Sequence, residues 1–328
     1  MKAAAESALI ALSLCCSPTA HAAVTFDWAT VGNPGNPADT EVMWDEGTTG
    51  YGSVDRAYRI SKYEVTAEQY TEFLNAVAAS DPNGLYSSDM WTSQYGCKIA
   101  QSGTDGSYTY SVAADRQDRP VNFVSFLDAM RLVNWLENGQ PTGAQGPGTT
   151  EDGAYTIGDG TSEVRNPDAT YFIPSEDEWY KAAYYDPASG IYYNFPTGTD
   201  DAPSHDITTP DPGNNANFHD GDYVIGSPYY MTEVGEYENS VSPYGTFDQG
   251  GNVWEWNETA QSSLWRGVRG GSSAGSAATL HAGCRGYDYL SSESGFLGFR
   301  VASIPEPASA SLMLCLGAVA AMLSRRLR

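Results

Sequence analysis

The sequence predicts an irregular, loop-rich α+β fold with three short helices and short antiparallel strands. Three observations carry this expectation. Three segments join a helix start signal to an apolar stripe at helical spacing. The composition, 34 Gly, 22 Tyr and 8 Trp with only 18% charged residues, suits an aromatic, loop-rich chain better than a helical bundle. Two Gly-rich stretches, residues 83–118 and 139–160, exceed ordinary connections, and loops of such length inside a domain tend to carry function.

The elements follow in chain order. Thr66 and Gln69 form a capping box ahead of Tyr70, Phe73, Leu74 and Val77, which share one helical face. Residues 108–112, Tyr-Thr-Tyr-Ser-Val, make a strand within the first long loop. Ser125 with Asp128 starts a second helix, its stripe Ala129, Leu132, Val133 and Leu136, and Gly139 ends it. Ser175 with Glu178 starts a third, turning Trp179, Ala182 and Ala183 inward. Residues 250–258 read Gly-Gly-Asn-Val-Trp-Glu-Trp-Asn-Glu, a period-two strand pattern. It sets Trp254 and Trp256 on one face and Glu255 on the other. Glu255 beside Asn252 is either a cation ligand or the polar edge of a core strand.

Residues 23–303 show no composition break and no internal repeat, so they are expected to form one domain. A net charge of −24 argues against binding nucleic acid or an anionic membrane, both of which need clustered Lys and Arg. Residues 1–22 have the form of an export signal: Lys2, an apolar run and Ala20-His21-Ala22 as a cleavage site. Residues 304–328 hold Pro305-Glu306-Pro307, sixteen mostly apolar residues at 308–323 and a basic end, a span short for a bilayer. Outside these ends only Cys97 and Cys284 remain, which permits one disulfide or two lone thiols.

The C-terminal pattern resembles the PEP-CTERM sorting signal of Gram-negative bacteria. That resemblance implies recognition by exosortase-type sorting machinery, a transient membrane anchor and delivery to the envelope surface or an extracellular matrix.

Between the two ends, short motifs stand in a fixed order. They are Ser61-Lys62-Tyr63-Glu64-Val65-Thr66, Arg119-Pro120-Val121-Asn122-Phe123, Phe172-Ile173-Pro174-Ser175-Glu176-Asp177-Glu178-Trp179 and Asn215-Ala216-Asn217-Phe218. The 250–258 segment, Arg269-Gly270-Gly271-Ser272 and Gly298-Phe299-Arg300-Val301 follow. Together they resemble the sulfatase-modifying-factor, or formylglycine-generating-enzyme-like, family on a C-type-lectin-like scaffold. The resemblance implies calcium, held by Asn217 with Asp220 or Asp222, and by Asn252, the Val253 carbonyl and Glu255. Oxygen ligands of mixed origin suit that cation.

The family's enzymes oxidise a substrate Cys to formylglycine with copper(I) held by two Cys, a soft ion on soft ligands. Here the stretch between Gly271 and Arg285 holds Cys284 alone, with small residues at 272–278. Copper is therefore not expected, and Cys284 is a weak catalytic candidate. Gly271-Ser272-Ser273-Ala274-Gly275 matches a nucleophile elbow only in letters, since no strand-to-helix pattern surrounds it. Glu176 and Glu178 read as helix-start acids before they read as a glycosidase pair. The expectation is an exported, calcium-stabilised binding or diverged domain that recognises a glycan or protein with aromatic loops. The alternatives are a formylglycine-generating oxidase and a structural matrix component.

Overall fold

In the computed structural model, which describes residues 23–158 and 160–305, all three predicted capping boxes form. Thr66, Ser125 and Ser175 each accept the backbone N–H three residues on, and Gln69, Asp128 and Glu178 answer to the cap's own N–H. They begin α1 (Ala67–Val77), α3 (Phe126–Glu137) and α4 (Glu176–Tyr184). A fourth helix, α2 (Asp89–Thr92), is a single turn inside the first long loop, too short to show periodicity in sequence.

All the predicted stripe residues are buried, but α3 and α4 are covered on their polar faces as well. The loops cause this. Asn134 on α3 donates to the carbonyls of Thr150 (2.8 Å) and Tyr155 (2.9 Å) and accepts the Tyr155 N–H (2.8 Å). One amide thereby ties the second Gly-rich stretch onto the helix. Asn122 does the same between segments, accepting from Cys97 N and donating to the Tyr95 and Gly295 carbonyls. Asp128, enclosed by this packing, has its carboxyl pushed up to about 7 by burial, against the bonds from Ser125 that favour the charge.

The strands, in chain order, are β1 (Trp28–Val31), β2 (Tyr58–Ser61), β3 (Ile99–Ser102), β4 (Thr109–Val112), β5 (Tyr171–Phe172), β6 (Tyr185–Asp186) and β7 (Ile191–Tyr192). They continue with β8 (Trp254–Ser262), β9 (Trp265–Arg269), β10 (Gly286–Tyr289), β11 (Leu297–Gly298) and β12 (Ala302–Ser303). The strand predicted at residues 108–112 is β4, paired antiparallel with β3. One sheet runs β1-β2-β12-β5, antiparallel throughout. The other runs β10-β9-β8-β11, where β11 lies parallel to β8 because the chain crosses over after β10.

The 250–258 motif supplies the start of β8. Trp256 is fully buried and packs edge-on against Phe126 at 5.8 Å, worth about 1.5–3 kcal/mol in transfer terms alone. Glu255 faces the other way, as the alternation predicted, yet that side is equally closed and the residue is 0% exposed. The Gly pair before it is a steric requirement. A Cβ on Gly251, at φ +96°, would lie 2.2 Å from the Asn217 carbonyl, to which Asn252 N donates at 2.9 Å.

Val24 is the first core residue among those described, and Gln140 grips it by both N–H (2.7 Å) and C=O (2.8 Å). The export signal at 1–22 lies outside the described residues, as does nearly all of the C-terminal tail, including its apolar span. Among the described residues no helix is long and apolar enough to cross a membrane.

Candidate functional site

The residues expected to hold calcium fall into three places. Asn217 and Asn252 meet: Asn217 Nδ2 donates to Asn252 Oδ1 at 2.8 Å and to the Tyr230 carbonyl at 3.0 Å. Asn252 Oδ1 also accepts from Thr232 N and Oγ1. A backbone N–H can only donate and a carbonyl only accept, so both amide orientations are fixed. That leaves Asn217 Oδ1 and Asn252 Nδ2 buried without partners. Asn252 thus turns its oxygen to donors and leaves an NH2 over, while the orphaned Asn217 Oδ1 is an acceptor of the kind a hard cation takes. Asp220 and Asp222 lie exposed at the surface.

Glu255 is elsewhere. Its carboxylate takes Arg300 Nε at 2.5 Å and Nη2 at 2.7 Å in a fork, plus the Trp179 indole N–H at 2.7 Å. Two more carboxyls face this pair, Glu64 and Asp248. Glu64 is 1% exposed and neither oxygen has a hydrogen-bond partner. Burial, then the charges of Asp248 and Glu255, push its carboxyl well above the usual range, and Arg300 only partly offsets this. Asp248 is pushed up to about 6 by burial, although it accepts from Gly235 N at 2.6 Å. If all three ionise, one Arg opposes three carboxylates. Such an excess has to be met by protons or by a cation. Among the described residues no three His, Cys, Asp or Glu side chains are grouped so as to hold a metal ion, and Glu64, Asp248 and Glu255 are therefore not such a group. A cation here would complete its shell with carbonyls and water, as calcium readily does.

A third cluster was not anticipated. Glu176, at the start of α4, bridges two arginines: Oε1 accepts from Arg269 Nε at 2.8 Å and Oε2 from Arg285 Nη2 at 2.7 Å. Arg269 reaches on to the carbonyls of Ala282 and Cys284, both at 2.8 Å. Tyr51 lies under both guanidinium groups, 5.5 Å from Arg269 and 4.9 Å from Arg285, and its hydroxyl accepts from Arg285 Nη1. Tyr287 covers Arg285 at 4.8 Å, and Asp45 approaches it at 3.8 Å. Above this layer Trp44 stacks on His281 at 4.8 Å yet remains 55% exposed. His281 Nδ1 accepts the Gly283 N–H, and burial lowers its pKa, so the neutral ring is favoured and Glu41 at 4.0 Å is a neighbour more than an ion-pair partner.

The two acids weighed for glycoside chemistry are therefore ion-pair residues. Glu178 caps α4 and binds Arg165 at 2.7 Å and Arg56 at 2.8 Å.

The family profile of the sulfatase-modifying factor enzyme 1-like domain matches residues 32–304. The chain belongs to that family. Solved structures agree on the fold. Treponema denticola variable protein 1 superposes with a TM-score of 0.55 at 21% identity, over 87% of this chain and 98% of that one. CarF superposes with a TM-score of 0.54 at 19% identity, over 86% and 99%. Identities this low establish the fold alone, the C-type-lectin-like and formylglycine-generating-enzyme-like α+β fold. No curated protein matches the sequence.

In sulfatase-modifying-factor terms, the two cysteines are the remaining question. Both are free thiols, so of the two outcomes left open the fold takes the lone-thiol one. Cys97 is packed in the main core beside Asn122, and burial pushes its thiol up to about 11. Cys284 is half-buried; burial raises its pKa, and the nearby Arg269 charge does not cancel the effect. A high thiol pKa disfavours the thiolate that copper(I) would need.

Among the missed residues, Arg269 was visible as a family landmark without a role, and Arg285 only as the end of the stretch searched for cysteines. Trp44 and Tyr51 were not visible at all. They sit in a stretch with no periodicity, where an indole among Asp, Glu and Gly is the one hint.

Proposed function

We propose that the chain is an exported binding member of the family, not an oxidase, and that it presents the surface around Trp44 to a glycan or a protein segment. Exosortase-type processing of residues 304–328 is the proposed route to the envelope surface or matrix. The observation that carries the reading is Trp44 itself: a large indole, 55% exposed, held flat on His281 above a network of buried ion pairs. A rigid exposed aromatic gives contact area at little entropic cost. Trp44→Ala is expected to abolish saturable binding on a glycan array or a surface-protein array while leaving thermal stability within about 0.5 kcal/mol of the parent. Formylglycine formation on a Cys-x-Pro-x-Arg peptide with copper(I) supplied would overturn this reading. A protein that binds nothing on either array would be a structural component.

Calcium is part of the proposal, placed beside the unpartnered Glu64 carboxylate with backbone carbonyls and water completing its shell, since Glu64, Asp248 and Glu255 do not group closely enough to hold it by themselves. The unpartnered Glu64 carboxylate supports that placement. The folded pKa values of Glu64 and Asp248 are raised, so without a cation their contribution to stability falls as pH rises from near 4 toward and past 6. Calcium is expected to raise the melting temperature at pH 7.5 and to have little effect at pH 4.5. Glu64→Gln should be more stable than the parent in chelator and should respond less to calcium. A parent whose melting temperature is the same in calcium and in chelator at pH 7.5 refutes the site.

A further inference from the structure

β10 is the edge of its sheet, and the register shows which of its backbone groups are free. Leu290 N donates to the Leu264 carbonyl at 2.9 Å, one step beyond the pair Tyr289 and Trp265. Hydrogen-bonded pairs alternate along an antiparallel ladder, so Gly286 and Asp288 bond to β9 while Tyr287 and Tyr289 turn their N–H and C=O away from it. The chain itself closes both ends of this outer edge. At one end the Gly283 carbonyl accepts Trp44 N at 2.9 Å. At the other, Tyr289 N donates to Asp288 Oδ1 at 2.8 Å and the Tyr289 carbonyl accepts Ser292 N at 2.7 Å. Between the closures, the N–H and C=O of Arg285 and of Tyr287 have no partner among the described residues. Gly286, which has no side chain, is partly exposed, so solvent reaches this stretch of backbone.

Open edges are ordinarily blunted by a bulge, a proline or a lysine. β10 pairs with β9 without a register shift and contains neither Pro nor Lys, and its one charged residue, Asp288, is spent on the Tyr289 N–H. What borders the gap is acidic. Asp45 Oδ2 lies 3.8 Å from Arg285 Nε and Glu46 Oε2 4.0 Å from Nη1, and both acids are exposed. Arg285 is already held by Glu176 at 2.7 Å, so Asp45 and Glu46 stand in excess. A second copy of the chain would bring the same acids and the same net charge of −24 to the edge, which disfavours self-association there. A basic partner is favoured on the same grounds.

We propose that the edge at Arg285 and Tyr287 takes an extended, basic segment of a protein partner as an added strand. This rests on the reading of Trp44 as a contact residue, because Trp44 closes the Gly283 end of the gap, and it names the ligand as protein and not glycan. Two N–H and two C=O groups match the two outer residues of a three-residue stretch, with four hydrogen bonds. Residues directly opposite one another share a face of the sheet, so those two outer side chains lie on the face of Arg285 and Tyr287. There a Lys or Arg reaches Asp45 and Glu46, while the middle side chain turns to the other face. Backbone pairing supplies the affinity and the alternate positive charges supply the selectivity.

The test is residue-resolved amide exchange of the full chain titrated with a short peptide of alternating Lys and Val, blocked at both termini. Exchange is expected to slow at Arg285 and Tyr287, about tenfold when the peptide stands at ten times its Kd, and to change little at Tyr289, whose N–H is already bonded. The same peptide N-methylated on its Lys amides, which face β10, is expected to give no protection. N-methylation of the Val amides, which face away, should leave the effect intact. Glu46→Lys should weaken binding by about fivefold and reduce its salt dependence. Tyr287→Pro removes an outward N–H that the fold does not use and should abolish binding; if that variant does not fold, the two N-methylated peptides decide. Equal protection by both of them would reduce the effect to charge and overturn strand addition. Protection that grows with protein concentration in the absence of peptide would give the edge to a second copy and overturn the choice of partner. Loss of array binding in Trp44→Ala, with no edge protection by the peptide in the parent, would overturn this inference and leave the Trp44 surface standing. Edge protection that persists in Trp44→Ala would keep the added strand and remove Trp44 from the site.

Discussion

Replacing Arg300 by Met is expected to lower stability by about 3–5 kcal/mol, the cost of stranding a buried ion whose partner is removed. The midpoint of thermal unfolding should fall by roughly 10 °C for a domain of this size. Arg300 is wholly enclosed. Besides the fork to Glu255 it donates to the carbonyls of Ser61 (2.9 Å), Lys62 (3.2 Å) and Phe247 (3.0 Å), so it joins the end of β2, the start of β8 and the loop before it. It is also the cation facing Glu64, Asp248 and Glu255 together. Removal therefore leaves three carboxyls without a counter-charge, and the loss should be partly recovered at low pH, where protons replace it. Arg300→Lys separates charge from geometry. An ammonium has three donors where the guanidinium here makes five bonds, so the lysine variant is expected to fall between parent and methionine variant. A methionine variant within about 1 kcal/mol of the parent would show that the cluster is neutral in the native state.

Arg300 also shows what the sequence could and could not tell. Gly298-Phe299-Arg300-Val301 identified the scaffold, and the three capping boxes located the helices, because both depend on residues adjacent in the chain. The alternation of Trp254, Glu255 and Trp256 gave the strand and its facing correctly. What it could not give was the environment of the second face. Glu255 sits opposite Arg300, 45 residues away, and beside Trp179, 76 residues away. The same limit hid the separation of Asn252 from Glu255. Asn252, at φ +50°, lies in the turn before β8 and Glu255 on the strand itself, so they point to different neighbours, and only the return of the chain through Thr232 shows that the Asn252 oxygen is already taken.

The loops were legible as unusual and illegible in detail. Their Gly content announced irregular backbone, but the residues that order them are single amides such as Asn122 and Asn134, each holding two segments by local geometry. No periodicity marks such a residue. Trp44, the residue proposed to meet a ligand, was hidden in the same way: its position is set by the Gly283 carbonyl, which accepts the Trp44 backbone N–H at 2.9 Å, and by the His281 ring, both far along the chain.

Glu176→Gln should then couple stability to recognition in a way that Trp44→Ala does not. The substitution keeps shape but puts an NH2 where one guanidinium donates, leaving Arg269, 0% exposed in its side chain, without any carboxylate. Arg285 keeps Asp45 at 3.8 Å and Glu46 at 4.0 Å, so the larger loss falls on Arg269. A cost of about 3–5 kcal/mol is expected, read by urea unfolding. Arg269 is also what holds the carbonyls of Ala282 and Cys284, and the turn between His281 and Gly283 is the floor on which Trp44 lies. Loosening that turn frees the indole, so ligand affinity should fall with stability, and amide exchange across residues 277–287 should quicken. Trp44→Ala removes the contact and leaves the floor intact. If Glu176→Gln lost stability while ligand affinity held at the parent value, the ion-pair layer would be a core element with no part in presenting Trp44, and the binding surface would have to lie elsewhere on the fold.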